Sequence, residues 1–242
     1  MNFLHRIFGS PSGRHNSGSR SVDLGAFGNA RMTVEELVAE GERLKRPCVL
    51  LKTEGAGEPI GWWHHKPGNL ASDRDPWITF DVQAVPGSER PNRTRYLTLL
   101  TSVEKPDGVL QPVDIPPEGL PLFGQPIEVI APIEAVFAFG NERVQAWLAA
   151  NDWPRTERYN SNFRDSALVE SYQRQWFETY PIYCNNPNAY AALGGRHFPH
   201  AEDDWYELAE ERLLILTVQD AEPWVEGWQR QDGQLGVIQR IT

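Results

Sequence analysis

The residues best suited to chemistry are four histidines, two of them adjacent in the chain and two separated by a pair of residues. They are His64, His65, His197 and His200. Imidazole nitrogens are frequent ligands of zinc and iron, so these side chains are the candidates for a metal site. Adjacent strand residues point to opposite faces, and Pro199 interrupts the second pair. The spacing therefore predicts no metal and no cofactor. An enzyme that binds a metal or small ligand through these histidines is kept as the alternative.

Other catalytic motifs do not occur in the sequence. There is no Gly-x-Ser-x-Gly nucleophile elbow, and Cys48 lies in an apolar run that predicts a buried, unreactive thiol. Cys184 has His197 or His200 as a conceivable base, but a packed cysteine is the favoured interpretation. Two glycine-rich stretches, residues 55–57 and 194–195, precede no predicted helix and indicate turns instead of phosphate cradles. The sequence predicts no catalytic residue and favours a non-enzymatic protein.

Acidic residues outnumber basic ones, 33 to 23, which gives a formal net charge of −10. A protein of this charge is a poor candidate for nucleic-acid binding, because that affinity depends on neutralising phosphates with basic side chains. One segment near the C-terminus concentrates the acid and supplies candidate contact residues for a basic protein partner. They are Glu202, Asp203, Asp204, Glu207, Glu210 and Glu211. The alternative interpretation is that the acidity only keeps the protein in solution.

Two adjacent tryptophans are the second candidate binding feature. Trp62 and Trp63 fall in a strand-like stretch, so one side chain must face away from the other. One ring is therefore expected in the core. An exposed ring beside the two histidines and Lys66 would be an interface anchor, because interface centres favour tryptophan and arginine.

The elements that position these residues are clearest at the C-terminus. Asp232-Gly233 between two alternating runs predicts a β-hairpin with a type I′ turn. The continuously apolar run 213–218 predicts a central strand before it, and residues 203–211 predict a short helix leading in. Such a meander must bury one face, and helices are the expected cover. We therefore predict an α+β fold, mainly antiparallel, whose C-terminal three-stranded meander packs against three to five helices.

The rest of the chain supplies the predicted helices and a second hairpin. Thr33 and Glu36 form a capping box that starts a helix ending near Arg46. Residues 48–52 and 60–65 predict a hairpin, whereas 77–85 and 93–103 are further strand-like runs. Residues 106–126 predict a long irregular connection with weak strand potential at 109–115. Two helices are expected at 141–151 and 165–180, and some helical content at 189–193.

Composition also predicts the domain organisation. Residues 1–30 are basic and rich in serine and glycine, which indicates a flexible tail, or a short segment that docks to a partner or membrane surface. Residues 31–242 predict a single α+β domain with a candidate subdomain break near 105–126. Two cysteines and no signal peptide or membrane-spanning stretch predict a cytoplasmic protein.

Together these features predict a non-enzymatic, acidic protein-interaction module. Small acidic proteins without catalytic motifs are often inhibitors or immunity-type proteins that neutralise a basic partner, and this chain fits that type. The likeness is one of type alone, since a fold does not establish a function.

Overall fold

The computed structural model describes residues 32–64, 75–88, 94–101, 108–150, 167–179, 189–196, 212–219, 224–230 and 232–240. Within these ranges the strands are β1 (Arg46–Lys52), β2 (Gly61–Trp63), β3 (Asp75–Asp81), β4 (Tyr96–Thr101), β5 (Val109–Val113), β6 (Leu120–Val129), β7 (Ala191–Gly194), β8 (Arg212–Gln219), β9 (Trp224–Arg230) and β10 (Leu235–Arg240). The α-helices are α1 (Val34–Arg43), α2 (Ile133–Phe139), α3 (Glu142–Ala150) and α4 (Ala167–Thr179).

All the described strands belong to one antiparallel sheet in the order β10-β9-β8-β7-β1-β6-β2-β3-β4-β5. The sheet curls until its ends meet, so that β5 contacts β10. The approach is close at Gly227, where a β-carbon would lie 2.8 Å from Leu110 Cδ1. A side chain at Gly227 would therefore require the Leu110 side chain of β5 to shift.

The predicted α+β class is wrong, because the fold is mostly a nearly closed antiparallel sheet. The C-terminal meander does form, but its hairpin turn is not the predicted two-residue type I′ turn. The Arg230 amide donates to the Gln234 carbonyl at 2.8 Å, so the loop has three residues, and Gly233 in it has a positive φ of 82°. None of the helices in the described ranges covers the apolar face that holds Ile215 and Val225. Ile215 and Val225 instead share a buried core with Phe80 and Leu99 of the strands across the sheet. The curled sheet therefore buries the apolar face of the meander, which had been expected to pack against helices.

The helices lie on the outer face of β1 and β7. Strand β1 is apolar on both sides because it separates two cores, with Cys48 and Leu50 facing the helices and Leu51 facing the sheet interior. The helical core is completed by side chains of α1, α2 and α4, among them Leu37, Val136 and Trp176. The central position predicted for the run 213–218 is likewise confirmed, since β8 lies between β7 and β9.

The start of α1 follows the predicted capping box. Thr33 Oγ1 accepts from the Glu36 amide at 3.2 Å, and Glu36 Oε2 accepts from the Thr33 amide at 2.9 Å. Two donors that would lack partners at the helix start are thereby satisfied. The helices predicted at 141–151 and 165–180 are also confirmed, as α3 and α4 within two residues at each described end.

Strand pairing differs from the prediction at β6. The expected hairpin of residues 48–52 with 60–65 is wrong, because β6 lies between β1 and β2 and pairs with both. Its residues 120–126 were predicted as irregular chain, chiefly because Pro121 and Pro126 cannot donate to a ladder. Residues 123–129 pair with β1 and residues 120–122 with β2, so each part has an edge on which a missing donor is tolerated.

The helical content predicted at 189–193 is wrong as well. Residues 191–194 form β7, which pairs with β1 and β8 and is buried throughout. The lead-in helix at 203–211 and the tail of residues 1–30 lie outside the described residues. The single domain with a break near 105–126 stays a prediction. No helix of the described ranges has both the length and the apolar character needed to cross a membrane.

Candidate functional site

A row of side chains crosses the outer face of β2, β3 and β4. In the strand register Trp62 lies opposite Thr79, and Thr79 lies opposite Thr98. Directly opposed residues of neighbouring strands share a face, so all three project outward. Trp63 is opposite Ile78 of the sheet interior, which places the two tryptophans on opposite faces.

His64 forms a hydrogen-bonded chain with two residues of this row, Thr79 and Thr98. Its Nδ1 lies 2.9 Å from the Glu118 carbonyl oxygen, and its Nε2 lies 2.8 Å from Thr79 Oγ1. A carbonyl oxygen can only accept, so Nδ1 carries a proton, and in the neutral form of the ring Nε2 accepts from the Thr79 hydroxyl. Thr98 Oγ1, 2.8 Å from Thr79 Oγ1, then donates to it. These hydrogen bonds link three polar side chains, the His64 ring and the hydroxyls of Thr79 and Thr98.

This arrangement bears on the predicted histidine site. Both ring nitrogens of His64 are engaged, so a metal ion could bind only by displacing one of these hydrogen bonds. In the part of the chain that the structure describes, no three His, Cys, Asp or Glu residues lie close enough to hold a metal ion. His65, His197 and His200 fall outside that part, and so their convergence with His64 stays untested.

The Thr79 hydroxyl is also poorly placed for nucleophilic chemistry. Its side chain has no exposed surface, and that of Thr98 has almost none. A nucleophile must reach the atom it attacks, and a hydroxyl sealed inside the sheet wall cannot reach an external substrate. The histidine and the two threonines therefore form a buried polar network that holds β2, β3 and β4 together.

An aromatic and cationic cluster lies outside that network. The Trp62 ring meets Tyr96 edge to face, with centroids 5.5 Å apart and an interplanar angle of 84°. The Arg95 guanidinium lies 4.9 Å from the Tyr96 ring centroid, a cation–π contact. Asp81 Oδ2 accepts from Arg95 Nε at 3.0 Å. We call Trp62, Tyr96, Arg95 and Asp81 the Trp62 cluster.

Apolar surface is exposed in neighbouring parts of the chain. Ile115, in the connection between β5 and β6, is 81% exposed, and Leu120 at the start of β6 is 46% exposed. Pro121, opposite Trp62 in the register, is exposed as well. Pro121 shares the outer face with Trp62, whereas Leu120, opposite Trp63, belongs to the other face. Tryptophan, tyrosine and arginine are the residues enriched at centres of protein interfaces.

Trp63 has a different environment. Its ring meets Trp77 at 5.9 Å and Tyr190 at 5.0 Å between centroids, both in tilted edge contacts. These contacts lie against the interior core of the sheet. Of the two tryptophans, Trp62 thus reaches the outer face, and the binding role of Trp63 stays a prediction.

The remaining predicted contact residues cannot be placed. Glu202, Asp203, Asp204, Glu207, Glu210 and Glu211 all lie outside the described residues. The site also contains residues that the sequence analysis did not select, namely Asp81, Arg95, Tyr96, Thr79 and Thr98. The alternation of β4 could have placed Tyr96 and Thr98 on one face, but nothing in the sequence pairs them with Trp62 or His64.

Two buried threonines provide a matched test of the hydroxyl network. Thr79→Val should destabilise the protein by about 1–3 kcal/mol, because it removes the partner of the buried Thr98 hydroxyl and of the part-buried His64 Nε2. Thr217 is equally buried, and its hydroxyl has no hydrogen-bond partner in the part of the chain that the structure describes. Thr217→Val should therefore be neutral or stabilising. Urea unfolding of both variants measures the difference, and equal costs would contradict the network.

No protein-family model matches the chain, and no curated protein or solved structure matches it either. The function is therefore inferred from the residues of this chain and their geometry.

Proposed function

We propose that this protein is a non-enzymatic binding module that neutralises a basic protein partner, in the manner of an inhibitor or immunity-type protein. The observation that carries the proposal is the Trp62 cluster. It joins a tryptophan, a tyrosine and an arginine on an outer sheet face, held by ring contacts and a carboxylate. Rigid side chains lose little conformational entropy on binding, which makes such a cluster a good anchor.

The charge of the protein supports a basic partner. The cluster itself is close to neutral, because Asp81 pairs with Arg95 at 3.0 Å. The net charge of −10 supplies attraction at longer range. Acidic surface accelerates association with a basic protein, and salt weakens this effect once charges are separated by more than about 8–10 Å. We assign the contact energy to the Trp62 cluster and the steering to the acidic segment 202–211.

A cytoplasmic location is part of the same proposal. The Cys48 side chain is buried, where a thiol is a common core residue. The chain contains two cysteines, too few for the disulfide framework typical of small secreted domains.

The first test is capture of the partner from the native cell, followed by titration calorimetry with Trp62→Ala. Loss of the ring should weaken binding by about 2 kcal/mol, or roughly 30-fold in affinity, as for other buried tryptophan anchors. Trp62→Phe keeps a ring against Tyr96 and should lose less. Retention of full affinity by a folded Trp62→Ala variant would refute the assignment of the anchor.

The second test asks whether the acidic segment steers the partner through its position or through the net charge of the protein. Reversing Glu207, Glu210 and Glu211 to lysine should lower the association rate at low salt at least about tenfold. The control reverses three exposed glutamates elsewhere, Glu54, Glu142 and Glu170, and changes the net charge equally. If the position of Glu207, Glu210 and Glu211 matters, the first triple variant should show the larger loss of association rate. Equal effects would show that the net charge alone matters.

A further inference from the structure

Two arginines lie side by side where the ladder between β1 and β7 ends. The Gly195 amide donates to the Pro47 carbonyl at 3.1 Å, which extends the pairing to the residues next to Arg46 and Arg196. Arg196 points to the helical layer, where its Nη2 donates to the carbonyl oxygen of Leu44, the last residue of α1's C-terminal turn.

The pair has no carboxylate partner among the described residues. Arg196 is 8% exposed, its one hydrogen bond there is to Leu44, and its buried Nε has no acceptor. Arg46 is partly exposed and forms no described ion pair. Nearby carboxylates are already engaged, since Glu42 and Glu128 both bind Lys45, at 3.7 and 2.6 Å. The described residues thus offer no carboxylate to either guanidinium group, of which that of Arg196 is buried and that of Arg46 is partly exposed.

Lowered pKa values of both arginines show that this arrangement disfavours their charged forms. Burial, and next the charge of Arg46, lower the pKa of Arg196 to about 9. Burial also lowers the pKa of Arg46. The C-terminus of α1, at Leu44, contributes a partial negative charge of only about half an elementary charge. Roughly 1.5 of the two positive charges therefore remain uncompensated by this helix end.

We propose that Arg46 and Arg196 form a binding site for a phosphate-type dianion, either inorganic phosphate or the phosphomonoester group of a small molecule. Such a group carries about −1.5 to −2 charges near neutral pH, which matches the uncompensated charge of the pair. Guanidinium N–H groups suit phosphate oxygens in direction as well as charge, and the unused Nε–H of Arg196 is one donor. The partly exposed Arg46 gives an anion access from solvent. This site is separate from the Trp62 cluster and from the proposed partner binding.

The experiment titrates the full-length protein with inorganic phosphate in a calorimeter and follows thermal unfolding at matched ionic strength. We expect a single site and a rise in Tm of about 5 °C or more when phosphate exceeds its Kd roughly a hundredfold. Sodium acetate and sodium chloride should give much smaller shifts. Glycerol 3-phosphate replaces inorganic phosphate in a parallel arm, and the tighter ligand identifies the source of the anion.

Variants assign the response to the arginine pair. Arg196→Met and Arg46→Met should each weaken phosphate binding at least about tenfold, since each removes a charge-assisted donor set. Without phosphate, Arg196→Met should be as stable as the wild type or more stable, because a buried unpaired charge has been removed. The control is Arg174→Met, which removes an exposed arginine of α4 and should keep the full response.

The proposal is overturned if the wild type shows no phosphate-specific shift, or if both variants respond as the wild type does. Equal shifts with acetate and phosphate would also overturn it, because two guanidinium groups that select a dianion must discriminate against a monoanion. If Arg196→Met does not fold, Arg46→Met decides the question, since that side chain is partly exposed.

Discussion

A methyl group added at Gly41 is expected to destabilise the protein by about 3 kcal/mol, although alanine is the better helix former. Gly41 is buried in α1, and a β-carbon there would collide with the hydroxyl of Tyr172 in α4. That hydroxyl cannot easily move away, because it donates to the Ala131 carbonyl. The Ala131 amide in turn donates to the Gly41 carbonyl at 3.1 Å. Three segments of the helical layer therefore meet at a point with no room for a side chain.

A double-mutant cycle identifies this collision as the cause. Tyr172→Phe should cost about 1 kcal/mol, because it leaves the Ala131 carbonyl without its donor. In the variant with both changes the added methyl group no longer meets an oxygen atom. The combined cost should fall below the sum of the single costs by 1 kcal/mol or more, on the order found for residues in contact.

Gly236 provides the matched glycine control for this cycle. It is exposed in β10, and a β-carbon there would meet nothing within 4 Å. Gly236→Ala should therefore change the free energy of unfolding by no more than about 0.5 kcal/mol. Chemical unfolding of the four variants measures these differences, and strictly additive costs at Gly41 and Tyr172 would contradict the explanation.

Replacing Glu40 by glutamine is expected to cost about 2–3 kcal/mol at neutral pH. Glu40 is 3% exposed in α1 and accepts from Arg43 and Asn141 through both carboxylate oxygens. Asn141 then caps α3, since its Oδ1 accepts from the Arg143 and Val144 amides. One carboxylate thus joins α1 to the start of α3. A glutamine would direct an N–H group at one of these donors in place of a carboxylate oxygen.

The same carboxylate makes stability depend on pH. The hydrogen bond from Arg43 lowers the pKa of Glu40 below its ordinary value of 4.5, burial opposes this shift, and the Asn141 amide adds to it. A group with a depressed pKa in the folded state stabilises the fold above its unfolded pKa, and this contribution is lost as pH falls through the folded pKa. The wild-type advantage over Glu40→Gln should therefore be full at pH 7 and shrink below pH 4.5.

Urea unfolding at several pH values measures this dependence. Glu54→Gln is the control, because Glu54 lies exposed in the loop before β2, and its cost should stay within about 0.5 kcal/mol. A constant difference between the wild type and Glu40→Gln from pH 7 to pH 3 would show that the carboxylate charge contributes nothing at this position.

Local features of the fold were predictable for a physical reason. The capping box at Thr33, the turn at Asp232-Gly233 and the period of α4 depend on residues within a few positions of one another. Each satisfies its own hydrogen bonds or conformational preference in place. The buried thiol of Cys48 was predictable in the same way, from the apolar residues beside it in β1.

The candidate site was predictable only in part. Alternation along a strand was enough to separate Trp62 from Trp63. The partners of Trp62 come from β3 and β4, and the two prolines of β6 concealed the strand that pairs with β2. The arginine pair was hidden for a similar reason, because Arg46 and Arg196 are 150 residues apart in the chain and meet only through the ladder of β1 and β7.

The order of residues was enough to predict most of the strands and helices, the two-sided burial of the run 213–218, and the acidic character of the protein. Tertiary structure alone decided that the sheet curls until β5 meets β10, and so what covers the C-terminal meander. The physical reason is that an apolar strand face requires burial without specifying its partner. A helix layer and the opposite side of the same sheet remove that face from water equally well. The long-range pairing of β6 with both β1 and β2 joins the strands into the one sheet that curls back on itself.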